Sequence, residues 1–273
     1  QLTHLEAILK KLNELLDRIK FLLVLDDVWN ESENLWKAMK DSLHGIDVKN
    51  GSKVLVTTRS TQVAEIMGSS IYSLRPLSAE DSWMVFEQKV FSIGGAPKTD
   101  VFCGMGKRMV ERCDGVPLAI NLLGGLLLNQ KSQREWSLIM DDPCWLKPTD
   151  NDYFPSLWMS FDHLQPSSLK SCFAYCSIFP KNFVFGKNIL IQVWMALDLI
   201  LGNSMEDVGE KYYDILYQNT LLQDFNVHCT SLHVINDNLL CRMHDLVHDL
   251  AQDVSKNYCA TMEVSKANYV SLT

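Results

Sequence analysis

The chain of 273 residues is 47% hydrophobic and 21% charged, close to ordinary globular proteins, which excludes a disordered or fibrous chain. This length is enough for two domains, or for three small ones, each with its own core. The formal net charge of -8 gives no general attraction to phosphate backbones or anionic lipid. We therefore expect no nucleic-acid partner.

The eight cysteines show no regular pairing, and the nearest pair, Cys172 and Cys176, is one helical turn apart. The first residues lack the apolar stretch and cleavage site of a signal peptide. These features predict reduced, buried thiols in a cytoplasmic protein. The longest apolar run, residues 117–128, contains two glycines and is too short to span a bilayer. It predicts a buried core helix, and we expect no membrane span.

The first part of the chain has the pattern of an α/β domain. Residues 2–19 carry leucines and an isoleucine at spacings of three and four, which predicts an amphipathic helix. Unbroken apolar runs at 21–25 and 54–56 are typical of strands that are buried in a parallel sheet. A third strand is predicted at 71–74. Alternation of strands and helices in this order predicts a parallel sheet.

From Ser78 onward the pattern becomes helical. The segment from Ser78 to Asp81 resembles a capping box, and Pro117 suits the first turn of a helix. Further helices are predicted at 135–140, 157–163, 169–177, 189–199 and 205–217. Two β-prone runs, 232–235 and 239–242, predict a hairpin, and a helix is expected from about His244. Helices followed by a hairpin and another helix predict a winged-helix domain.

Two carboxylates, Asp26 and Asp27, follow the first predicted strand directly, and Arg59 follows the second. The carboxyl ends of parallel strands share one edge of a sheet, where ligands bind. Carboxylates there suit Mg²⁺ and the activation of water, and a guanidinium suits a terminal phosphate. A strand that ends in a solvated turn is the alternative explanation for this pattern.

Six segments in one order resemble the motifs of the NB-ARC domain in plant disease-resistance proteins of the coiled-coil class with leucine-rich repeats. They are residues 21–29 (FLLVLDDVW, the Walker B motif), 51–59 (GSKVLVTTR), 77–83 (LSAEDSW), 115–119 (GVPLA), 172–181 (CFAYCSIFPK) and 243–245 (MHD). The resemblance extends over nearly the whole chain. It implies a multidomain α/β plus α protein: a partial P-loop NTPase domain at 1–76, a helical domain at 77–150, a winged-helix domain at 151–257 and a linker at 258–273.

The resemblance also implies a role for individual residues in binding ADP or ATP. Asp26 would coordinate Mg²⁺, and Asp27 would be the catalytic carboxylate of any hydrolysis. Arg59 would read the γ-phosphate, Pro117 would pack against the base or sugar, and His244 would contact the β-phosphate. The implied function is an ADP/ATP switch of an intracellular immune receptor. Its partners would be coiled-coil and leucine-rich-repeat domains of the parent protein, with oligomerisation on activation.

The glycine-rich Walker A pattern, G-x-x-x-x-G-K-[ST], does not occur in the sequence. This departure leads us to expect weak nucleotide binding by this chain, at most slow ATP hydrolysis by the full-length parent, and none by the chain itself. The missing pattern also keeps a second function open, that of an interaction or regulatory fragment without nucleotide. Structural zinc at Cys241, His244 and His248, with His228, Cys229 and His233 nearby, is a further alternative. DNA binding by the winged helix is disfavoured by its acidic helices.

Overall fold

The computed structural model describes residues 11, 14–15, 20–44, 51–68, 70–92, 94–146, 154–224 and 240–256. The chain divides into two compact units, Gln1–Leu74 and Arg75–Thr273. Among the described segments, no helix combines the length and the apolarity that crossing a bilayer requires.

The first unit contains a parallel β-α-β arrangement. Strand β1 spans Leu22–Leu25, helix α1 spans Glu33–His44, and strand β2 spans Lys53–Val56. The two strands pair in parallel, with Leu22 opposite Lys53 and Leu25 opposite Val56. A parallel pair needs a long crossover, which α1 supplies. The strands predicted at 21–25 and 54–56 are confirmed, but their predicted burial is wrong, because Leu22, Val24 and Leu55 are each more than 50% exposed.

Helix α2, Thr61–Met67, follows β2 and is capped at both ends. The side chain of Ser60 accepts a hydrogen bond from the backbone N–H of Val63, and Gly68 ends the helix in the left-handed conformation with φ of 61°. Glycine adopts this conformation without a steric penalty, so it is favoured at such ends. The caps fix where the chain turns after β2.

The third predicted strand, residues 71–74, is wrong. This segment is not a strand, and Tyr72 and Leu74 are more than 80% exposed. A strand needs a neighbour for its backbone N–H and C=O groups. Among the described residues, the β1–β2 sheet pairs with no such segment. Of the helix predicted at 2–19, residues 11, 14 and 15 are described and are helical, and the rest lies outside the described residues.

The second unit begins with four helices: α3 at Ala79–Val90, α4 at Asp100–Glu111, α5 at Pro117–Leu128 and α6 at Gln133–Met140. They surround an apolar cluster in which Trp136 is fully buried. Its ring and that of Phe102 are nearly perpendicular, with a centroid distance of 4.9 Å. Helix α5 carries eight buried residues, so the prediction of a buried core helix at 117–128 is confirmed.

Local sequence signals explain where several of these helices begin. The hydroxyl of Ser78 accepts from the backbone N–H of Asp81 and thereby caps α3. Ser132 and Glu135 form a complete capping box at α6, in which each side chain serves the other's backbone N–H. Pro117 is the first residue of α5, where its lack of an N–H costs nothing.

The rest of the second unit combines helices with a small antiparallel sheet. The helices are α7 at Pro155–Asp162, α8 at Ser167–Tyr175, α9 at Lys187–Ala196, α10 at Met205–Gln218 and α11 at residues 245–256. The strands are β3 at Val184–Gly186, β4 at Gln223–Asp224 and β5 at Leu240–Arg242, in the order β3-β5-β4. Buried residues of these elements form most of a second apolar cluster, which includes the fully buried Phe173 and Trp194.

This arrangement agrees with the predicted winged helix, and the four helices predicted between 157 and 217 are confirmed with shifted ends. The predicted strand at 239–242 is present as β5, which pairs with β3 and β4. Its predicted hairpin partner at 232–235 lies outside the described residues, as does the linker predicted at 258–273.

Candidate functional site

Thr57 joins the two carboxylates at the end of the parallel sheet. Its hydroxyl donates a hydrogen bond to Oδ1 of Asp26 at 2.5 Å and accepts one from the backbone N–H of Asp27 at 2.9 Å. Asp27 itself has φ of 49°, a left-handed conformation that aspartate tolerates better than most residues. The chain therefore turns sharply after Asp26, and both carboxylates stay at the edge where β1 ends.

Arg59 has two partners at this edge. Its guanidinium lies 3.6 Å from Oδ1 of Asp27 and 4.1 Å from the centre of the Trp29 ring. The first contact is an ion pair, and the second is a cation–π contact. The Arg59 side chain is 35% exposed and the Asp27 side chain 19% exposed, so solvent screens the pair only in part. The cation is thus held at the edge beside the carboxylates.

The segments that follow β1 and β2 are bonded to each other beyond the strands. The backbone N–H of Val28 donates to the carbonyl of Thr57 at 2.9 Å, and the hydroxyl of Thr58 donates to the carbonyl of Val28 at 2.7 Å. The hydroxyl of Ser60 donates to the carboxylate of Glu31 at 2.8 Å. These bonds make the positions of the carboxylates and the guanidinium depend on backbone geometry rather than on flexible side chains.

This donor set fits a magnesium nucleotide. One oxygen of Asp26 accepts from Thr57, and carboxylate oxygens are the ligands that Mg²⁺ prefers in proteins. The fork of Arg59 can donate to phosphate oxygens. The arrangement can therefore hold a hydrated divalent cation on one side and an anionic phosphate on the other.

Pro117 lies at an exposed corner of the second unit, where α5 begins. The carbonyl of Gly115, two residues earlier, accepts from the backbone N–H of Leu77 at 2.9 Å. Gly115 has φ of 70°, and a Cβ at this position would lie 2.5 Å from the Leu77 carbonyl oxygen, so only glycine fits the approach. A cavity of about 460 Å³, lined by Leu77, Trp83, Val110 and Gly115 among others, opens beside this corner.

His244 precedes α11, and its ring interacts with the start of that helix. The Nδ1 atom accepts a hydrogen bond from the backbone N–H of Leu246 at 3.2 Å, so it serves as a helix cap. A ring nitrogen that accepts carries no proton, which places the proton of the neutral ring on Nε2. The ring can therefore act as a hydrogen-bond donor through Nε2.

The residues considered for zinc face different partners. Cys241 lies in β5, and His248 Nε2 lies 2.7 Å from the carbonyl of Phe179. The described residues contain no group of three or more His, Cys, Asp or Glu side chains that could hold a metal ion. His228, Cys229 and His233 lie outside the described residues.

The structure brings three of the five predicted site residues together: Asp26, Asp27 and Arg59, all in the first unit. Pro117 and His244 belong to the second unit, and their roles stay predictions. Sequence reasoning did not assign Trp29 to the site, although its ring contacts Arg59. The sequence signal that could have pointed to Trp29 was its position, two residues after the paired carboxylates.

Two parts of the chain match known protein families. Residues 2–94 match the NB-ARC domain, and residues 178–251 match the Disease resistance protein Winged helix domain. Putative disease resistance protein RGA1 of Solanum bulbocastanum is 37% identical over 264 residues, which cover 95% of this chain and 26% of that protein. Putative disease resistance RPP13-like protein 1 of Arabidopsis thaliana is 35% identical over 271 residues, covering 96% of this chain and 24% of that protein.

Disease resistance protein RPM1 of Arabidopsis thaliana is 31% identical over 264 residues, which cover 91% of this chain and 27% of that protein. The chain thus spans about a quarter of the length of these curated relatives. By fold and site, it combines a P-loop NTPase-type NB-ARC domain with a winged helix. It carries the NB-ARC domain and the winged-helix domain of disease-resistance proteins, and the relatives that it matches are named plant disease resistance proteins.

Proposed function

We propose that this chain is the ADP/ATP-dependent switch region of a plant immune receptor that acts in the cytoplasm in defence against pathogens. One observation carries the proposal: the carboxyl ends of β1 and β2 bring Asp26, Asp27 and Arg59 to one edge of a parallel sheet. Ligands of α/β proteins bind at such edges. The edge combines the charges that a magnesium nucleotide needs.

Each of these residues has a separate task. Asp26, oriented by the Thr57 hydroxyl, would hold Mg²⁺. Bound Mg²⁺ would neutralise phosphate charge. Asp27 orients the water of a slow hydrolysis by the full-length protein, and Arg59 contacts the terminal phosphate. The ion pair between Asp27 and Arg59 keeps both side chains at the edge in the absence of nucleotide.

In the second unit, Pro117 packs against the base or sugar, and His244 donates to the β-phosphate. Support for the first role is the cavity beside the corner that Gly115 and Pro117 form. Support for the second is the capping contact of His244, which leaves Nε2 as the donor. We place the nucleotide-binding domain at 1–76, the helical domain at 77–150 and the winged-helix domain at 151–257.

The nucleotide then acts as a switch because ADP and ATP favour different arrangements of the chain. A ligand shifts such an equilibrium only by its difference in affinity for the two states. In the full-length receptor, the arrangement with ATP promotes oligomerisation and signalling, and coiled-coil and leucine-rich-repeat domains are its intramolecular partners.

The test is a thermal-unfolding titration of the 273-residue chain with ADP and with a non-hydrolysable ATP analogue, each in Mg²⁺ and in EDTA. Because weak binding is expected, the nucleotide reaches only a small multiple of its Kd, and a ligand that binds only the folded chain at about ten times its Kd adds about 1.4 kcal/mol to the free energy of unfolding. We expect stabilisation in Mg²⁺, a loss of the ATP-analogue effect in Arg59→Ala, and a loss of the Mg²⁺ dependence in Asp26→Asn. Arg108→Ala, an exposed arginine on α4, is the matched control and should respond like the wild type.

Two outcomes would overturn the proposal. Stabilisation that persists unchanged in Arg59→Ala and Asp26→Asn would place the nucleotide elsewhere. Absence of any stabilisation, at nucleotide concentrations up to several millimolar, would favour the second function, an interaction or regulatory fragment that binds no nucleotide. The absence of a G-x-x-x-x-G-K-[ST] pattern from the 273 residues is the observation that favours this second function.

A further inference from the structure

Trp29 is a half-exposed aromatic residue whose position core packing does not explain. Its side chain is 48% exposed, whereas Trp36, a few residues later, is 7% exposed. The Trp29 ring lies under the guanidinium of Arg59 at 4.1 Å. An exposed tryptophan that contacts a cation needs a reason other than burial.

The backbone around Trp29 is fixed on both sides. Val28 bonds to the segment after β2 through its N–H and through its carbonyl. The carbonyl of Asn30 accepts from the indole N–H of buried Trp36 at 2.5 Å. The Trp29 ring therefore has a defined position relative to Arg59 before any ligand arrives.

The geometry leaves the donor edge of Arg59 available. A cation–π contact uses the charge of the guanidinium and none of its N–H groups, so these groups can still donate to another partner. Asp27 lies 3.6 Å from one of the terminal nitrogens, which is an ion-pair distance rather than a close hydrogen bond. A phosphate oxygen can compete with Asp27 for the same N–H groups while the guanidinium stays over the ring.

We propose that Trp29 is a positioning residue that holds Arg59 at the sheet edge while its N–H groups exchange between the Asp27 carboxylate and a terminal phosphate. This inference rests on the proposed function, because it assumes that Arg59 contacts nucleotide. Trp29 then contributes to the preference for a nucleoside triphosphate over a diphosphate. A ring that merely supported the fold would affect both nucleotides equally.

The first experiment measures the Kd of a non-hydrolysable ATP analogue and of ADP, both with Mg²⁺, by calorimetry. In Trp29→Leu, which keeps an apolar side chain without an aromatic face, we expect about five- to tenfold weaker binding of the ATP analogue, as cation–π strengths of partly exposed sites suggest. ADP binding should change less than about twofold, because Arg59 contacts only the terminal phosphate of the triphosphate. Trp29→Phe should lie between Trp29→Leu and the wild type.

The second unit supplies a matched control. Trp145 lies 5.3 Å from the guanidinium of Arg112 and so forms a cation–π pair of the same kind. Trp145→Leu should leave the ratio of the two Kd values unchanged. An unchanged ratio in Trp29→Leu would overturn the inference alone. A wild-type chain that binds neither nucleotide would overturn the proposed function and the inference with it.

A ligand-free measurement tests the contact itself. The emission of Trp29, obtained as the difference between the wild type and Trp29→Phe, should be quenched by acrylamide about twofold more readily in Arg59→Ala, since the guanidinium covers one face of the ring. Arg108→Ala is again the control. Equal quenching with and without Arg59 would show that the ring does not hold the guanidinium in solution, which would overturn the inference.

Discussion

The ammonium group of Lys89, near the end of α3, donates a hydrogen bond to the hydroxyl of Thr220, 131 residues further along the chain, at 2.5 Å. The same hydroxyl donates to the carbonyl of Asn121 in α5 at 3.1 Å. Burial lowers the pKa of Lys89 to about 8. Lys89 thus connects the helices of the first apolar cluster with the end of α10. Its charged form is destabilised because burial removes part of the water around the ammonium group.

The half-buried Lys89 makes stability depend on pH. The pKa of Lys89 is about 8 in the folded chain and 10.5 ordinarily, so the unfolded chain binds more protons between these values. The contribution of Lys89 to the free energy of unfolding therefore rises from pH 8 to pH 10.5. We expect Lys89→Met to remove this rise. At pH 7 it should stabilise the chain by about 2 kcal/mol, because one pKa unit corresponds to about 1.4 kcal/mol and the lost hydrogen bond subtracts about 1 kcal/mol.

Urea unfolding of the wild type and of Lys89→Met at pH 7 and pH 10 gives the free energy of unfolding of each protein. The difference between the two proteins at each pH isolates Lys89, because the other groups that titrate in this range contribute equally to both. Lys211→Met is the control, since Lys211 is exposed on α10. If Lys89→Met destabilised the chain at pH 7, the hydrogen bond to Thr220 would outweigh the cost of burying the charge.

Two adjacent glycines in α5 should respond differently to alanine. A Cβ on Gly125 would lie 2.6 Å from the carbonyl oxygen of Gln218 and 2.8 Å from Cα of Asn219, and both are backbone atoms that cannot move alone. The three atoms nearest to a Cβ on Gly124 all belong to the side chain of Lys89, at 3.3 to 3.4 Å, and none is a backbone atom. We expect Gly125→Ala to lower the free energy of unfolding by about 2 to 3 kcal/mol through overpacking.

Gly124→Ala serves as the matched control for this prediction. It should be neutral or stabilising by up to about 1 kcal/mol, because alanine is the better helix former. Chemical denaturation of both variants measures the difference. Equal losses in the two variants would mean that helix geometry, and not the contact with the end of α10, sets the requirement for glycine.

Helix α5 shows what the sequence could and could not predict. Pro117 at its first position and the apolar run that follows are local signals, and they predict the helix and its burial correctly. The close approach of Gly125 to Gln218 joins segments far apart in the chain. A single sequence contains no local signal for such a contact, so neither the glycine requirement nor the Lys89–Thr220 bond was predicted.

The candidate site, too, could be predicted from the sequence only in part. The rule that parallel strands end at one edge was sufficient to place Asp26, Asp27 and Arg59 together. The Trp29 ring lies after the strand, where no periodicity fixes the direction of a side chain, so its contact with Arg59 could not be predicted from the sequence. The strand predicted at 71–74 was wrong because apolar residues alone do not supply a hydrogen-bonding neighbour.

Buried cysteines should resist alkylation in the folded chain. Burial raises the pKa of Cys113 and of Cys172 to about 12, from an ordinary value of 9. Because the thiolate is the reacting species, the reactive fraction at pH 8 should fall by about a thousandfold. We expect iodoacetamide to label half-buried Cys103 long before Cys113 or Cys172, as measured by mass spectrometry of peptides after timed labelling.

Labelling in 6 M guanidinium chloride is the control for the alkylation experiment, because the unfolded chain should expose these thiols alike. The prediction also tests the sequence-based view that these cysteines are core residues. Native labelling of Cys172 at the rate of Cys103 would mean that α8 opens locally under native conditions, and that burial in the folded state does not protect its thiol.

The last prediction concerns the hydroxyl of Thr57, which bonds to Asp26 and accepts from the N–H of Asp27. Thr57→Val keeps the shape of the side chain and removes both bonds. We expect a loss of about 1 kcal/mol in the stability of the first unit, since a hydrogen bond to a charged group at an exposed site is worth roughly this much. Under the proposed function, the Mg²⁺-dependent part of ADP binding should also weaken, because Asp26 loses the bond that orients it.

Thr57→Ser distinguishes the effect of the hydroxyl from the effect of the side chain's shape. It retains the oxygen that both bonds require, so it should restore most of the stability and the Mg²⁺ dependence. Titration of ADP in Mg²⁺ and in EDTA, with unfolding measured in parallel, gives both values for the two variants. If Thr57→Ser lost as much stability and Mg²⁺ dependence as Thr57→Val although it keeps the hydroxyl, the two hydrogen bonds of Thr57 would not account for the losses. Asp26 would then owe its orientation to the sheet edge rather than to Thr57.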